Sequence, residues 1–271
     1  MGYLASCGFG LEESLKGGVI AAAGKSSRLG LPGVHKGTLK VGGVPLIRGQ
    51  VDFLHNSGCE RVVIVVDTKH EAVIRLSLLG ANGVEIILHD RHDGWPGALM
   101  AASGSWKADD EVVIVSCDNV VPGVAPSLLK NEAMAFTYLD STPPPNGSVE
   151  RAGWRWPGKS FFGSATILGT YLSSILAEIP LPTCGCEPWI GHVLSYTPDH
   201  SGGKSIRLVP LGDGFFDIAT ISDLAVAHAA KIGANYLPPV LVGAGLIIRD
   251  SSCVLLTERA DGRGWCPPGG I

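Results

Sequence analysis

The chain has 271 residues, of which 45% are hydrophobic and 17% are charged, and its net charge is -4. This length allows one large α/β domain or two modest ones. The charge argues against a nucleic-acid or anionic-membrane partner. Met1–Lys16 lacks the basic and apolar parts of a secretory signal, and Ser160–Ala177 is too polar and too short for a membrane span. We therefore expect a cytoplasmic protein.

The seven cysteines are scattered and contain no C-x-x-C pair, so no zinc ribbon or thioredoxin-like site is predicted. Cys184 and Cys186 are close together, but such a lone pair is typical of ordinary loop thiols. Reduced thiols in the cytosol are the simplest interpretation.

Short apolar runs rich in β-branched residues alternate with helix-like segments along the chain. The predicted strands are residues 19–23, 61–66, 84–88, 112–116, 161–168 and 208–210, and the predicted helices are residues 46–57, 71–79, 98–105 and 221–231. This alternation predicts βαβ units and a doubly wound, mostly parallel sheet. Ligands on such sheets bind beyond the carboxyl ends of the strands.

The first predicted strand runs directly into a loop of small residues that carries Lys25 and Arg28, and Lys36 follows eight residues later. Small residues let backbone N–H groups approach an anion closely, and basic side chains add positive charge and donors for phosphate oxygens. The loop has neither the glycine spacing of the dinucleotide-binding turn nor the motif of the P-loop. It therefore predicts a different kind of polyphosphate cradle.

Three motifs in this region follow one another at a characteristic spacing. They are Ala22-Ala-Gly-Lys-Ser-Ser-Arg28, His35-Lys36-Gly37 and Gly43-Val-Pro-Leu46. In this order they resemble the A-A-G-x-G-x-R, P-K and G-K-P-L motifs of the sugar-1-phosphate nucleotidyltransferases and the MobA-like NTP transferases. The departures are Ser26 in place of Gly, His35 in place of Pro, and Val44 in place of Lys. The resemblance covers about residues 17–233.

The resemblance implies a Rossmann-like α/β fold of the nucleotide-diphospho-sugar transferase type, with roles for the residues of the first two motifs. Arg28 and Lys36 would be catalytic, because they would stabilise charge on the transferring and leaving phosphates. The nucleotide-binding residues would be Ala22, Ala23, Gly24, Lys25, Ser26 and Ser27.

Two carboxylates would hold Mg²⁺, which typically takes one or two protein carboxylates together with phosphate oxygens and water. Asp118 follows the predicted strand at 112–116 in a segment that resembles the family's strand-G-D motif, with Cys117 in place of Gly. A helix-capping Asp118 is the structural alternative. Asp217 lies in a segment that resembles the family's D-I-x-T-p-x-D-L motif. Asp223 in the same segment is interpreted as part of a helix cap formed with Thr220 or Ser222.

Two further regions are candidates for recognising the substrates. The segment 89–99 stands where the family recognises the base, with Gly94 and Gly97 as nucleotide-binding residues. Its His and Asp residues fit no zinc motif, and a solvated loop is the simpler interpretation. Arg151, Arg155 and Lys159, beside two tryptophans, form a weak candidate for the acceptor site. An ordinary exposed hairpin explains those three residues equally well.

A linker signal at residues 236–239 separates two predicted domains, a nucleotidyltransferase domain over 1–235 and a C-terminal β segment over 236–271. The second resembles the opening of a Nudix hydrolase, with a strand pair followed by Pro268-Gly-Gly270. The metal-binding glutamates of the Nudix box are not in the sequence, so we expect no Nudix activity from this segment as it stands. A longer gene product would be bifunctional.

The resemblance implies a Mg²⁺-dependent reaction that joins an NTP to a phosphorylated small molecule, with a sugar 1-phosphate as first choice, and releases pyrophosphate. A cytidylyltransferase for a polyol phosphate, choline phosphate or phosphonate is the alternative within enzymes. A non-catalytic nucleotide-binding regulator is the alternative from another class. The expected partners are therefore the NTP and the acceptor. The oligomeric state is left open, with a homo-oligomer as one alternative.

Overall fold

A computed structural model of the chain describes residues 15–24, 29, 31, 33–91, 93–139, 150–151, 154–155, 161–179, 205–211, 213–232 and several pairs and triplets after 243. The chain divides into two compact units, residues 1–231 and 232–271. The predicted domain boundary at residue 235 stays a prediction.

The first unit is an α/β structure built on one large sheet. Its elements in chain order are β1 (Lys16–Ala21), β2 (Lys40–Val41), β3 (Val44–Pro45), α1 (Leu46–Asn56), β4 (Arg61–Val66), α2 (Glu71–Ser77), β5 (Val84–Leu88), α3 (Gly94–Ala101), β6 (Glu111–Ser116), β7 (Asn119–Val120), β8 (Glu132–Leu139), β9 (Glu150–Arg151), β10 (Trp154–Arg155), β11 (Phe161–Leu168), α4 (Gly169–Glu178), β12 (Ser205–Pro210), β13 (Phe216–Asp217) and α5 (Ile221–Ile232). Short 3-10 turns lie at Lys36–Thr38, Thr68–His70 and Ser103–Ser105.

The central sheet has seven strands in the order β12-β8-β11-β6-β1-β4-β5. Strands β6, β1, β4 and β5 are parallel to one another, as are β12 and β8, whereas β11 is antiparallel to both of its neighbours. The predicted α/β fold with a mostly parallel sheet is therefore confirmed. The order of the strands in the sheet reverses at β1: the next long strand along the chain, β4, lies on one side of β1, and β6 lies on the other.

Both faces of the sheet are buried, which explains the continuous apolar strands in the sequence. On one face Val19, Val65 and Ile114 pack in a core that includes residues of α3 and α4. On the other face Ile20 and Ile64 pack in a core that includes residues of α1 and α2. A third, smaller cluster of buried side chains consists of Val41, Leu46, Ile218 and Ala227.

The predicted elements differ from the observed ones mainly at their ends. Strands β4, β5 and β11 have the predicted bounds, but β1 begins three residues before the predicted strand and ends at Ala21. Helix α3 begins at Gly94 and ends at Ala101, and the last residues of the predicted helix form a 3-10 turn. Strand β8 and helix α4 were not predicted. Ala and Met favour helices, and β8 takes its conformation from pairing with β11 and β12.

The described residues of the second unit form three antiparallel ladders of two residue pairs each. Residues 244–245 pair with 269–270, 249–250 with 253–254, and 257–258 with 265–266. Among the helices of the described residues, none is long and apolar enough to cross a membrane.

Candidate active site

The carboxyl ends of β1 and β6 meet at the point where the strand order reverses. Ala22, the first residue after β1, is fully buried and donates its N–H to the Val65 carbonyl at 2.8 Å. Cys117, the first residue after β6, donates its N–H to the Ala21 carbonyl at 3.2 Å. The predicted cradle and the predicted metal segment therefore begin side by side, at the edge where open α/β sheets bind ligands.

The structure describes only the first part of the predicted cradle. Ala23 and Gly24 are half-buried and follow Ala22 at the end of β1. Lys25, Ser26, Ser27 and the predicted catalytic Arg28 lie outside the described residues.

Lys36 lies in a tight, buried turn just after the loop. His35 caps the turn, because its Nδ1 accepts the Gly37 N–H at 3.0 Å, and the Thr38 hydroxyl donates to the His35 carbonyl at 2.8 Å. A Cβ at residue 37 would lie 3.1 Å from His35 Nδ1 and 3.2 Å from Ile47 Cβ, so glycine lets these groups pack closely. The turn therefore holds the Lys36 backbone in one place.

The Lys36 ammonium contacts the predicted metal carboxylate. Lys36 Nζ donates to Asp118 Oδ2 at 3.0 Å, and these two side chains are 7% and 19% exposed. The Ser116 hydroxyl makes a short hydrogen bond to Asp118 Oδ1. Because such a pair is only weakly screened by water, its attraction exceeds that of a surface ion pair. Both Asp118 oxygens are thus oriented by donors before any ligand binds.

The backbone of Asp217 lies close to that of Asp118 although 99 positions separate the two residues in the sequence. Strands β13 and β7 pair antiparallel, with Asp217 directly opposite Asn119. The Ile218 N–H donates to the Asp118 carbonyl at 2.9 Å. Directly opposite residues have Cα atoms roughly 5 Å apart. The fold therefore brings the two predicted metal ligands to one place on the sheet edge.

Asp118 and Asp217 both have water-accessible surface, and such carboxylates suit Mg²⁺, which prefers oxygen ligands and usually keeps several waters. Within the described part of the chain there is no group of three or more His, Cys, Asp or Glu side chains that could hold a metal. The residues present fit a metal that the substrate phosphates help to bind, and the roles of Asp118 and Asp217 stay a prediction.

Asp223 has a structural role. Its Oδ2 accepts hydrogen bonds from the Thr220 N–H at 2.7 Å and the Thr220 hydroxyl at 2.8 Å, while the Asp223 N–H donates back to the Thr220 hydroxyl at 3.3 Å. This reciprocal pair starts α5 in the manner of a capping box. Of the two predicted caps, Thr220 is the one that forms it.

The segment around Gly94 and Gly97 follows β5 at the same edge of the sheet. A Cβ at residue 97 would lie 1.6 Å from Asp93 Oδ1, so only glycine lets the Asp93 carboxylate lie over the start of α3. His89 Nε2 is 2.7 Å from Asp93 Oδ1, and these side chains are 14% and 12% exposed. The expected solvated loop is therefore wrong for His89 and Asp93. Base recognition by Gly94 and Gly97 stays a prediction.

The weak acceptor candidates lie in or beyond a small hairpin. Strands β9 and β10 pair antiparallel, with Arg151 opposite Trp154 and Arg155 opposite Glu150. Lys159 lies outside the described residues. The acceptor role of these three residues stays a prediction.

The first part of the chain matches a known family. Residues 18–146, just under half of the chain, match the model of the MobA-like NTP transferase domain. These residues form a MobA-like NTP transferase domain. With this domain in its first unit, the chain is an enzyme of the nucleotidyltransferase type.

Solved structures share the fold over a longer part of the chain. One, from Bacillus anthracis, is assigned as a glucose-1-phosphate thymidylyltransferase and contains a sucrose; it has a TM-score of 0.65 and 19% identity over 82% of this chain and 97% of that chain. The inositol-1-phosphate CTP transferase from T. maritima has a TM-score of 0.59 and 15% identity over 81% of this chain and 96% of that chain. At these identities the likeness shows the fold. No curated protein matches the chain.

Three residues near the NTP transferase site were missed by sequence reasoning. Ser116 and His35 contact predicted site segments, and buried Gln50 on α1 donates a short hydrogen bond to the Asn119 carbonyl. A signal existed for Gln50, because this polar residue occupies the apolar face of α1 between Ile47 and Leu54. For the other two, only the fold shows what they contact.

Proposed function

We propose that this enzyme is a Mg²⁺-dependent nucleotidyltransferase that joins an NTP to a phosphorylated small molecule, with a sugar 1-phosphate as first choice. The observation that carries the proposal is the Lys36–Asp118 ion pair, which lies where the strand order reverses. Asp118 directly precedes Asn119, the residue that pairs with Asp217. This arrangement supplies one cation for phosphate oxygens and two carboxylates for a divalent ion.

In the proposed reaction, an oxygen of the acceptor phosphate attacks the α-phosphorus, and the bond from that phosphorus to the β-phosphate oxygen breaks to release pyrophosphate. No general base is needed, because an acceptor phosphate is already ionised at neutral pH. Bound Mg²⁺ would neutralise the triphosphate and orient the α-phosphate. Asp118 and Asp217 would hold it in place.

The chain's own residues would contribute positioning and charge. Backbone N–H groups of the loop from Ala22 to Ser27 would bind the triphosphate. The Lys36 ammonium, 3.0 Å from Asp118, would contact a phosphate oxygen of the bound triphosphate. Lys36 and Arg28 would then stabilise the charge that develops on the transferring and leaving phosphates.

The choice of acceptor is based on structures with the same fold. Two of them are described as acting on glucose 1-phosphate and inositol 1-phosphate. They support a sugar phosphate or polyol phosphate as the acceptor here, and a cytidylyltransferase for a polyol phosphate, choline phosphate or phosphonate is the second candidate. The expected location is the cytoplasm.

A non-catalytic regulator is less well supported, because binding alone does not need a buried lysine placed against a metal carboxylate. The experiment that separates these functions begins with thermal stabilisation by ATP, CTP, GTP, UTP and dTTP, each with and without Mg²⁺. The stabilising NTP is then mixed with glucose 1-phosphate, inositol 1-phosphate or choline phosphate, and pyrophosphate release is measured. Stabilisation without any pyrophosphate release would favour the regulator.

We propose that the second unit is the N-terminal part of a Nudix-type domain in a longer gene product. The ladder between residues 244–245 and 269–270 supports this, because it places Gly269 and Gly270 beside the first strand of the segment. Sequencing the transcript beyond the codon of Ile271 tests it. In-frame glutamates at the Nudix-box spacing would support a bifunctional enzyme, and their absence would remove this proposal.

A further inference from the structure

One buried side chain at the site has no part in the proposed reaction. His35 is 1% exposed, and its two ring nitrogens contact two different segments. Nδ1 accepts the N–H of Gly37, in the Lys36 turn, at 3.0 Å, and Nε2 lies 2.6 Å from the carbonyl of Ala22, at the start of the predicted cradle. We propose that His35 is a positioning residue that ties the Lys36 turn to the end of β1 and thereby fixes the Lys36 ammonium against the bound triphosphate.

The two contacts assign the proton on the ring. Because Gly37 donates its N–H, Nδ1 has to present a lone pair, so the proton of a neutral ring is on Nε2 and is donated to the Ala22 carbonyl. Burial, the largest effect, lowers the pKa of His35, while the Ala22 carbonyl opposes that shift. The neutral form that makes both hydrogen bonds is therefore the one that burial favours.

The segments that His35 connects are themselves anchored. Ala22 is held from the opposite side by its hydrogen bond to Val65, and Lys36 is held by Asp118. The residues joined by the His35–Ala22 contact are 13 positions apart, and the cradle residues lie between them. His35 therefore connects two segments that are each held by a second contact, which leaves the Lys36 turn little freedom to move before a ligand binds.

A second histidine supports the ring of His35. The His35 and His70 ring centroids are 5.0 Å apart, with an angle of 55° between the rings. Asp67 Oδ1 accepts both the His70 backbone N–H at 3.0 Å and the His70 Nδ1–H at 2.7 Å. Because Asp67 holds His70 at the end of β4, this contact restricts His35 to one orientation.

Matched substitutions separate the two hydrogen bonds of His35. In His35→Asn the side-chain oxygen can still accept the Gly37 N–H, but the side chain is too short to reach Ala22. In His35→Gln the longer amide can still donate to Ala22 but no longer caps the turn. His55→Asn is the control, because His55 likewise contacts two backbone carbonyls, those of Cys59 and Asn82, which precede β4 and β5 at the opposite ends of the strands from the site.

This inference rests on the proposed function, so the test has one readout that needs activity and one that does not. A misplaced charge partner lowers turnover by roughly tenfold to a hundredfold. We expect that loss in kcat for His35→Asn, a smaller loss for His35→Gln, and a kcat near the starting value for His55→Asn. All assays are run below the melting temperature of each variant.

The second readout is the rate at which an amine-reactive acylating reagent modifies Lys36, followed by mass spectrometry without substrates. We expect slow modification in the starting protein, an intermediate rate in His35→Gln, which loses only the cap of the Lys36 turn, and the fastest modification in His35→Asn. A rate in His35→Asn no faster than that of the starting protein, or unchanged kcat in folded His35→Asn, would overturn the positioning role. If no NTP and acceptor give pyrophosphate, the proposed function fails, while the modification rates still decide whether His35 positions Lys36.

Discussion

The two carboxylates of the proposed metal site come from regions of different construction. Asp118 follows β6, an interior strand of the parallel part of the sheet, within the segment that matches the NTP transferase family. Asp217 lies beyond that segment, in a ladder of two residue pairs with β7. A long buried strand leaves a clear pattern in the sequence, whereas a short ladder leaves almost none. Two residues proposed for the same site can therefore differ greatly in how clearly the sequence indicates them.

The two regions also differ in how their carboxylates are held. Asp118 receives hydrogen bonds from Lys36 and Ser116, so its position is set by two side chains from different segments. The backbone of Asp217 is set by the ladder with Asn119. If the metal depends mainly on the oriented carboxylate, substitutions in the first region should have the larger effects. The following predictions test that ranking.

The largest effect is expected for Asp118→Asn, which removes the charge but nearly preserves the shape of the side chain. We expect turnover to be lost, because Lys36 and the metal both lose their anionic partner, while the circular dichroism spectrum stays that of the starting protein. Pyrophosphate release measures the effect. Activity near the starting level would place the metal away from Asp118.

Lys36→Ala should lower kcat by roughly a hundredfold to a thousandfold, as is typical when a donor to a transition-state charge is removed. Initial rates at varied NTP and varied acceptor concentration measure this. A change restricted to the KM of the acceptor would instead assign Lys36 to the acceptor site.

Asp217→Asn should have a smaller effect, with kcat roughly tenfold to a hundredfold lower, because the better oriented carboxylate remains. Titration with Mn²⁺ in the presence of NTP should show weaker metal binding. Asp223→Asn is the matched control in the same segment: it weakens the cap of α5 but should leave metal binding unchanged. Equal losses of metal binding in Asp217→Asn and Asp223→Asn would mean that this segment affects the metal only by stabilising the fold, and that Asp217 is not a ligand.

The smallest effect concerns stability, at an ion pair between β12 and β8 that lies outside both regions. Arg207 on β12 donates to both Glu132 oxygens, at 2.7 and 3.1 Å, and Arg207 is the main reason why the pKa of Glu132 is lowered. Glu132→Gln should lower the free energy of unfolding by about 1–3 kcal/mol at neutral pH.

The pH dependence of that effect follows from the direction of the pKa shift. Because the folded-state pKa of Glu132 lies below the unfolded value, the stabilisation is present above the unfolded pKa and is lost as the pH falls through the folded one. Urea unfolding of both proteins at several pH values measures this. A stability difference that stays constant down to the lowest pH would show that the charge of Glu132 is not its cause.

The sequence predicted the parallel half of the fold better than the antiparallel half. Strand β4 has the predicted bounds because a buried parallel strand is a continuous run of Val and Ile. Strand β5, at the edge of the sheet, has the predicted bounds because its β-branched residues favour a strand. Strand β8 was missed because its Ala and Met residues are strand-forming only in the context of two neighbouring strands. The reversed direction of β11 could not be predicted, since strand propensity carries no information about direction.

The apolar strands and the loop motifs between Ala22 and Lys36 were identified from the sequence alone, because these features are local and depend only on residue type and spacing. The carboxylates proposed to bind the metal were assigned through the family resemblance. Only the tertiary structure decided that Lys36 contacts Asp118, that Asp217 lies opposite Asn119 and that His35 reaches Ala22. Such contacts depend on where separate segments pack in space, and no local pattern in the sequence records that.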